Sequence, residues 1–421
     1  MRRCVGVELG GHSIGAVVTS VDTPGSPADR MSVSPVLVTA PGRGTLVGAQ
    51  AEQFAASGVG AVFRDFCDRV GDPVPVIGSD GSARLGADLV AMTVGGLLRR
   101  TAGPDVAQLV IAHPSGWGPY QMSVLHSALT CTEAEGVPTS MVSIPVATVT
   151  AAIAAGAMSC SETVIVADVG EHGTDVSLVT GAQNRVGQLE ATSRTDDLGS
   201  AGLDHALAKH VLDQVRGHLT DSERADPAYR ATVRDVVTAC RRARQDLVQH
   251  TSAVVDVCLG TQRIPVRIIR AEFEAVAREA IDAGISAIAR VIRQARENGI
   301  ELNAILLTGE VSRTPLLTEL ISAQWSGRLI TPPCPEWAAA TGAAYIAARR
   351  APSRPITPVS PARPKLSSPP QPQSVQSRAI PSGDKSSIRH ARPTGERKWT
   401  LRWGAVQVTA ALVPRAVPRH G

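Results

Sequence analysis

Two segments of the chain end a β-branched run in a carboxylate, turn through glycine and return on a second apolar run. The first runs Val5-Gly6-Val7-Glu8-Leu9-Gly10-Gly11-His12-Ser13-Ile14, and the second Val164-Ile165-Val166-Ala167-Asp168-Val169-Gly170-Glu171-His172-Gly173-Thr174-Asp175-Val176. A carboxylate beside a glycine turn suits one kind of chemistry. The acid holds a hydrated Mg²⁺ through its waters, and the turn amides donate hydrogen bonds to phosphate oxygens. Glycine lets the backbone come close to such a ligand and adopt positive φ. One hairpin in each half of the chain would clamp the phosphates of one nucleotide from both sides. The plainer alternative is that Asp168 and Asp175 cap turns and that His12 and His172 are neutral turn residues.

These loops need rigid elements behind them. Hydrophobic patterning predicts strands at 4–9, 14–20, 106–112, 163–168, 174–180, 253–258, 263–269 and 303–308. It predicts helices at 86–100, 118–133, 200–216, 228–249, 271–297, 314–323 and 336–349. Phe273, Val276, Ala277, Ala280, Ile281, Gly284, Ile285, Ile288 and Val291 recur at helical spacing, and Asn298-Gly299 closes that helix. Alternating strands and helices, with a hairpin opening each half, predict an α/β chain of two similar lobes, 1–160 and 161–350, around a cleft.

Composition sets further bounds. At 421 residues and only 3% aromatic, the chain must build its core from Ala, Val, Leu and Ile. Seven scattered cysteines without a CxxC pair exclude a disulfide framework and a cysteine zinc site. No apolar run reaches membrane-spanning length and no signal peptide is evident, which points to the cytoplasm. From 351 the composition turns to Pro, Ser, Gln and Arg, and predicts a disordered linker over 351–398. The segment 399–421, with Trp399-Thr400-Leu401-Arg402-Trp403, reads as a truncated module or an interaction peptide. Residues 351–421 hold twelve Arg and Lys against Asp384 and Glu396, a net of +10, in a chain of net +4. This basic tail is suited to acidic surfaces. Walker A, dinucleotide, nucleophile-elbow and sequence-specific nucleic-acid motifs are absent.

The ordered motifs resemble the actin/DnaK-type ATPase superfamily, most closely the nucleotide-binding domain of heat-shock chaperones. Glu8-Leu9-Gly10-Gly11 and Asp168–Asp175 stand at the family's two phosphate loops, and Leu198-Gly199-Ser200-Ala201-Gly202-Leu203-Asp204 at the entry to the second lobe. Ala239-Cys240-Arg241-Arg242-Ala243-Arg244 resembles the helix that reaches the adenosine. Leu306–Pro315, with Gly309 and Arg313, resembles the adenosine turn, and Pro335–Ala344 the closing helix. The resemblance implies a two-lobed actin-like ATPase fold with ribonuclease H-like lobes, and ATP or ADP with Mg²⁺ as cofactors. It implies Glu8 and Asp168 on the metal's waters, and Gly10, Gly11, His12, Gly170, Gly173, Thr174, Gly199 and Ser200 about the phosphates. Arg241, Arg244, Gly309 and Arg313 would frame the adenosine, and Asp175 would orient an attacking water, with Asp168 beside it.

The departures are as informative. Glu8 stands where the family favours Asp, His12 where it has a small hydroxyl residue, and Glu171 and His172 where glycines are usual. Glu310 and Val311 replace a Gly-Ser pair, and Arg241 an acid. No lysine precedes Lys209, so the catalytic lysine of the first lobe is missing. Arg64 or Arg69 is the expected stand-in, although a planar guanidinium is not a compact ammonium. Two functions follow: a scaffold or accessory protein with a degenerate nucleotide site, or a slow Mg²⁺-dependent ATPase switch. Arg69–Pro75 and Ala112–Gly118 further resemble actinobacterial type VII secretion-associated proteins, which implies protein partners in secretion machinery. The spacing also predicts that His113 ends a strand and packs beside Trp117, while Glu52, Asp65 and Asp68 carry no legible chemistry.

Overall fold

The computed structural model describes residues 2–11, 13–21, 29–40, 42, 44–103, 105–182, 185–218, 227–260 and 262–351. His12, the linker beyond Ala351 and the 399–421 segment lie outside the described residues.

The first hairpin is β1 (Arg3–Leu9) and β2 (Ile14–Ser20), extended antiparallel by β3 (Asp29–Val33). A small sheet follows, of β4 (Val36–Ala40), β5 (Gly44–Val47) and β6 (Ala61–Arg64), with α1 (Ala49–Ala55) before β6. A short β7–β8 hairpin (Val76–Ile77, Ala83–Arg84) leads to α2 (Gly86–Thr101). Then β9 (Val106–His113) joins β1 in parallel, and after α3 (Pro119–Leu129), β10 (Thr139–Ser143) joins β9 in parallel. Helix α4 (Ile144–Ala154) leads to the second half.

The second half repeats the plan. Strands β11 (Thr163–Val169), β12 (Thr174–Ala182) and β13 (Arg185–Thr195) form the antiparallel meander. Helices α5 (Ser200–Val215) and α6 (Pro227–Gln249), the hairpin of β14 (Ser252–Leu259) and β15 (Gln262–Ile269), and α7 (Arg270–Glu297) come next. Strand β16 (Ala304–Thr308) then pairs in parallel with β11, and, after α8 (Pro315–Gln324), β17 (Arg328–Ile330) pairs with β16. The sheet orders β10-β9-β1-β2-β3 and β13-β12-β11-β16-β17 describe one topology used twice. Each opening hairpin therefore holds the same position in its own sheet.

The cores follow the composition. Val5, Val7, Leu89, Leu97 and Ile111 fill one, with Phe63 and Phe66 among the few aromatics. Ile165, Leu178, Ile281, Val291 and Leu307 fill the other. The closing helix α9 (Ala338–Arg350) returns to the first sheet, where Ala343 and Ala347 pack with Cys4, Val110 and Ala112. Helix α4 lies against the second sheet through Val149 and Ala152. The two helices cross so closely that a Cβ on Gly342 would stand 1.8 Å from the Ala147 carbonyl oxygen. His113 ends β9 stacked on Trp117, with ring centroids 5.8 Å apart, as expected.

Several elements escaped the sequence patterning: β3 to β6, β10, α4, β13 and β17. Helix α4 has no polar face to mark a period, because Ile144, Pro145, Ala147, Thr148, Val149, Ala151 and Ala152 are all buried. Strand β13 is an edge strand of mixed polarity, with no apolar alternation to announce it.

Candidate functional site

A cavity of about 570 Å³ lies where the two hairpins meet, within the roughly 300–1,000 Å³ typical of ligand sites. It brings together Glu8, Gly10, Gly11, Asp168, Gly170, Gly173, Asp175, Ser200, Arg241, Arg244, Gly309 and Arg313 of the expected set. The loops touch: a Cβ on Gly11 would lie 3.4 Å from Cδ2 of His172. Each loop is closed by a backbone bond, from Gly10 N–H to the Ser13 carbonyl (3.0 Å) and from Gly170 N–H to the Gly173 carbonyl (2.9 Å).

Two expected residues do not face the cavity. Thr174 is fully buried, and its hydroxyl donates to the Leu198 carbonyl at 2.8 Å, so it tethers the strand after the loop. Gly199 packs beneath the loop, where a Cβ would meet the Glu171 carbonyl oxygen at 2.3 Å. At the other end Gly309 is required for two reasons: its φ is +85°, and a Cβ would stand 2.2 Å from the Val169 carbonyl oxygen.

The carboxylates are electrostatically costly. Burial, reinforced by the charge of Asp168, pushes Glu8 up to about 8, although the Ala340 N–H donates to its Oε2 at 3.2 Å. Burial and the charge of Asp175 push Asp168 up to about 7 against the pull of Arg194. Asp175 sits opposite Asp168 in the β11–β12 register, and it too is raised, by burial that outweighs the attraction of Arg194. Asp68, in the turn after β6, also lines the cavity, a position that nothing in its sequence context signals.

The largest correction concerns the cation. Arg64 pairs with Glu52 at 3.1 Å and Arg69 with Asp72 at 2.7 Å; neither lines the cavity. Arg194 does, on the unpredicted strand β13. Its Nη1 donates to Asp175 Oδ2 at 2.7 Å and its Nε to Asp196 Oδ1 at 2.9 Å. The one sequence cue was its place just before the Asp196-Asp197-Leu198-Gly199 lobe entry.

The other end of the cavity is built on one face of α6. Arg241, Arg244, Gln245, Val248 and Gln249 line the cavity at i, i+3, i+4, i+7 and i+8, while Val236, Cys240, Ala243 and Leu247 pack into the core behind them. Buried Arg244 donates from Nε to Asp204 Oδ1 at 2.6 Å, and its Nη2 lies 3.4 Å from Glu310 Oε2 without hydrogen-bond geometry. Arg241 Nη2 approaches the same oxygen at 3.5 Å, and Gln245 donates to Oε1 of Glu310. Burial draws Glu310 upward, but Arg244, Gln245 and Arg241 hold it below its usual range. Arg313 pairs with Glu336 at 3.1 Å and donates to the Pro333 carbonyl at 2.7 Å.

Comparison with known proteins agrees with this geometry. The Hsp70 protein family matches residues 106–360, more than half of the chain; the chain belongs to the Hsp70 family, and its two lobes form the actin-like ATPase fold. The heat shock 70 kDa protein of Ajellomyces capsulatus is 28% identical over 189 residues, which cover 44% of this chain and 26% of that protein. The chaperone protein HscA homolog of Verminephrobacter eiseniae is 29% identical over 198 residues, 47% of this chain and 30% of its own length. The aligned stretches thus span less than a third of either relative. Among the described residues no helix is long and apolar enough to cross a membrane.

Proposed function

We propose that this chain is a DnaK-like nucleotide-binding module with a degenerate ATP site, acting as an accessory or scaffold protein more than as an enzyme. The observation that carries this reading is the state of the cations on the cavity wall. Arg194, Arg241, Arg244 and Arg313 are each paired with a carboxylate of the protein itself, and no lysine among the described residues lines the cavity.

A nucleoside fits the site. The volume suffices, the α6 face and Gly309 leave a slot for base and ribose, and glycines at both loops admit phosphate. Glu8 and Asp168 are the residues that would hold Mg²⁺ through its waters; when bound, the metal supplies charge neutralisation at the phosphates. No trio of His, Cys, Asp or Glu among the described residues is arranged to ligate it directly. Glu171 lines the cavity as well and repels a terminal phosphate. Asp175, already held by Arg194, is poorly placed to orient a water. These features support binding over turnover.

Calorimetric titration with Mg·ATP, followed by a phosphate-release assay, tests the reading: measurable binding with negligible release is expected. The second reading, a slow Mg²⁺-dependent ATPase switch, rests on the retained Asp168 and Asp175. It requires turnover that Asp168→Asn abolishes and a distant substitution does not.

A cytoplasmic location, protein partners in type VII secretion and contact of the basic tail with acidic surfaces belong to the same proposal. Their support is the likeness of Arg69–Pro75 and Ala112–Gly118 to secretion-associated proteins, together with the charge of residues 351–421. Co-purification of the full chain with secretion components, compared with a chain ending at Ala351, checks this part.

A further inference from the structure

We propose that Arg194 stands in for the divalent cation of the phosphate site, so that the cavity takes a nucleoside diphosphate without Mg²⁺. The inference rests on nucleotide binding as read above, but departs from it in replacing the hydrated Mg²⁺ on Glu8 and Asp168 by Arg194 and in naming the ligand form.

Three observations meet here. Arg194 sits directly opposite Asp175 in the β12–β13 register, at the end of the cavity where the glycine loops close on each other. It is the one arginine or lysine at that end among the described residues, since Arg241, Arg244 and Arg313 surround the far end with Glu310 and Glu336. Its guanidinium is also only partly used. Nη1 is bound to Asp175 and Nε to Asp196, while Nη2 has no hydrogen-bond partner among the described residues, and the side chain is 52% exposed.

A guanidinium is suited to this double duty. It carries five N–H donors in a rigid fork, remains charged at every ordinary pH, and can hold a carboxylate on one edge while donating to a phosphate oxygen from another. Asp175, the carboxylate opposite Asp168, is already held by Arg194, so it is not open to the waters of a metal ion beside it. A single fixed cation suits a diphosphate better than a triphosphate, because each added phosphate brings negative charge towards Glu171 and Asp68, which share the wall.

The test is titration of the full chain with ADP in EDTA and again in excess Mg²⁺. The wild-type protein is expected to bind with the same affinity in both, within about twofold. Arg194→Ala is expected to lose about tenfold or more in EDTA, the scale of one lost charge-assisted hydrogen bond. Arg194→Lys, which keeps the charge, should recover most of that loss. A melting curve for each variant confirms that it is folded, and the lysine variant carries the comparison if the alanine variant is not. Wild-type binding that weakens tenfold in EDTA overturns the proposal while leaving nucleotide binding intact. Unchanged EDTA affinity in Arg194→Ala also overturns it. Absence of ADP binding in both buffers overturns the nucleotide reading itself.

Discussion

Glu310→Gln removes one charge and keeps the shape of the side chain, so it isolates the ion-pair knot at the α6 end of the cavity. Glu310 Oε2 lies 3.4 Å from Arg244 Nη2 and 3.5 Å from Arg241 Nη2. At an effective dielectric of about 20, the closer pair interacts by about 5 kcal/mol before desolvation is counted. The Arg244 side chain is only 2% exposed and that of Glu310 26%, so much of this is offset by the cost of burying the charges. Arg244 also keeps Asp204 at 2.6 Å. A net loss of about 1–2 kcal/mol at neutral pH is expected. The pH dependence has a definite sign. The folded-state value of Glu310 lies below its ordinary 4.5. Its stabilisation is therefore present above 4.5 and disappears as the pH falls through the folded value. Urea midpoints of wild type and Glu310→Gln should differ at neutral pH and converge well below 4.5. Equal stability at neutral pH, or a gap that stays constant into acid, would refute the assignment of Glu310 as the charge that holds the two arginines.

Other substitutions separate neighbouring claims. Glu310→Ser, which removes bulk as well as charge, is expected to raise nucleotide affinity several-fold in a fluorescence titration if that side chain crowds the base. Arg64→Ala and Arg69→Ala should leave affinity unchanged within about twofold, since their partners Glu52 and Asp72 lie off the cavity wall and exposed pairs contribute about 0–1 kcal/mol. Gly342→Val should lower stability by about 1–3 kcal/mol or more in a denaturation curve, because any Cβ there meets the Ala147 carbonyl. Asp168→Asn is expected to raise the melting temperature of the nucleotide-free protein at pH 8 and to do so much less at pH 4. The native carboxyl is raised from 3.8 to about 7, so the unfolded chain ionises first: the cost to the fold grows as the pH rises from 3.8 and is complete above 7.

The sequence was most readable where burial imposes a period. The hairpins of β1–β2 and β11–β12 and the long α7 were placed within a residue or two, because their apolar positions repeat at two or at three to four. Helix α4 was invisible because it is buried on every side, and a helix without a polar face has no period to show. Strand β13 was missed for the opposite reason: at the sheet edge nothing forces alternation. That omission also hid Arg194. The resemblance places a lysine in the first lobe, whereas this chain lines the cavity with Arg194 from the second. Asp68 was overlooked because nothing local marks a surface turn as facing a cleft; only the meeting of the two lobes does so. Thr174 was misplaced because loop membership says nothing about which way a side chain packs, and its hydroxyl is taken by Leu198.

The repeat itself bears on the proposal that this chain binds nucleotide without turning it over. Glu8 and Asp168 occupy the same place in the two sheets, yet their hairpin partners differ: Glu8 faces Gly15, and Asp168 faces Asp175. The first lobe therefore brings Glu8 and Asp68 and, among the described residues, no arginine or lysine to the wall, while the second brings Asp168 and Asp175 with Arg194 beside them. In such an arrangement Arg194, which neutralises the cluster, and Asp175, proposed to steer a water, are bound to each other, Nη1 to Oδ2, at 2.7 Å. Hydrolysis would require Asp175 to let go of Arg194 at the moment when the phosphates most need a positive neighbour. Breaking a half-exposed pair costs little, about 0–1 kcal/mol, so energy alone does not forbid turnover. The obstacle is that one pair is asked for two incompatible geometries, and the paired one is the one the fold already holds.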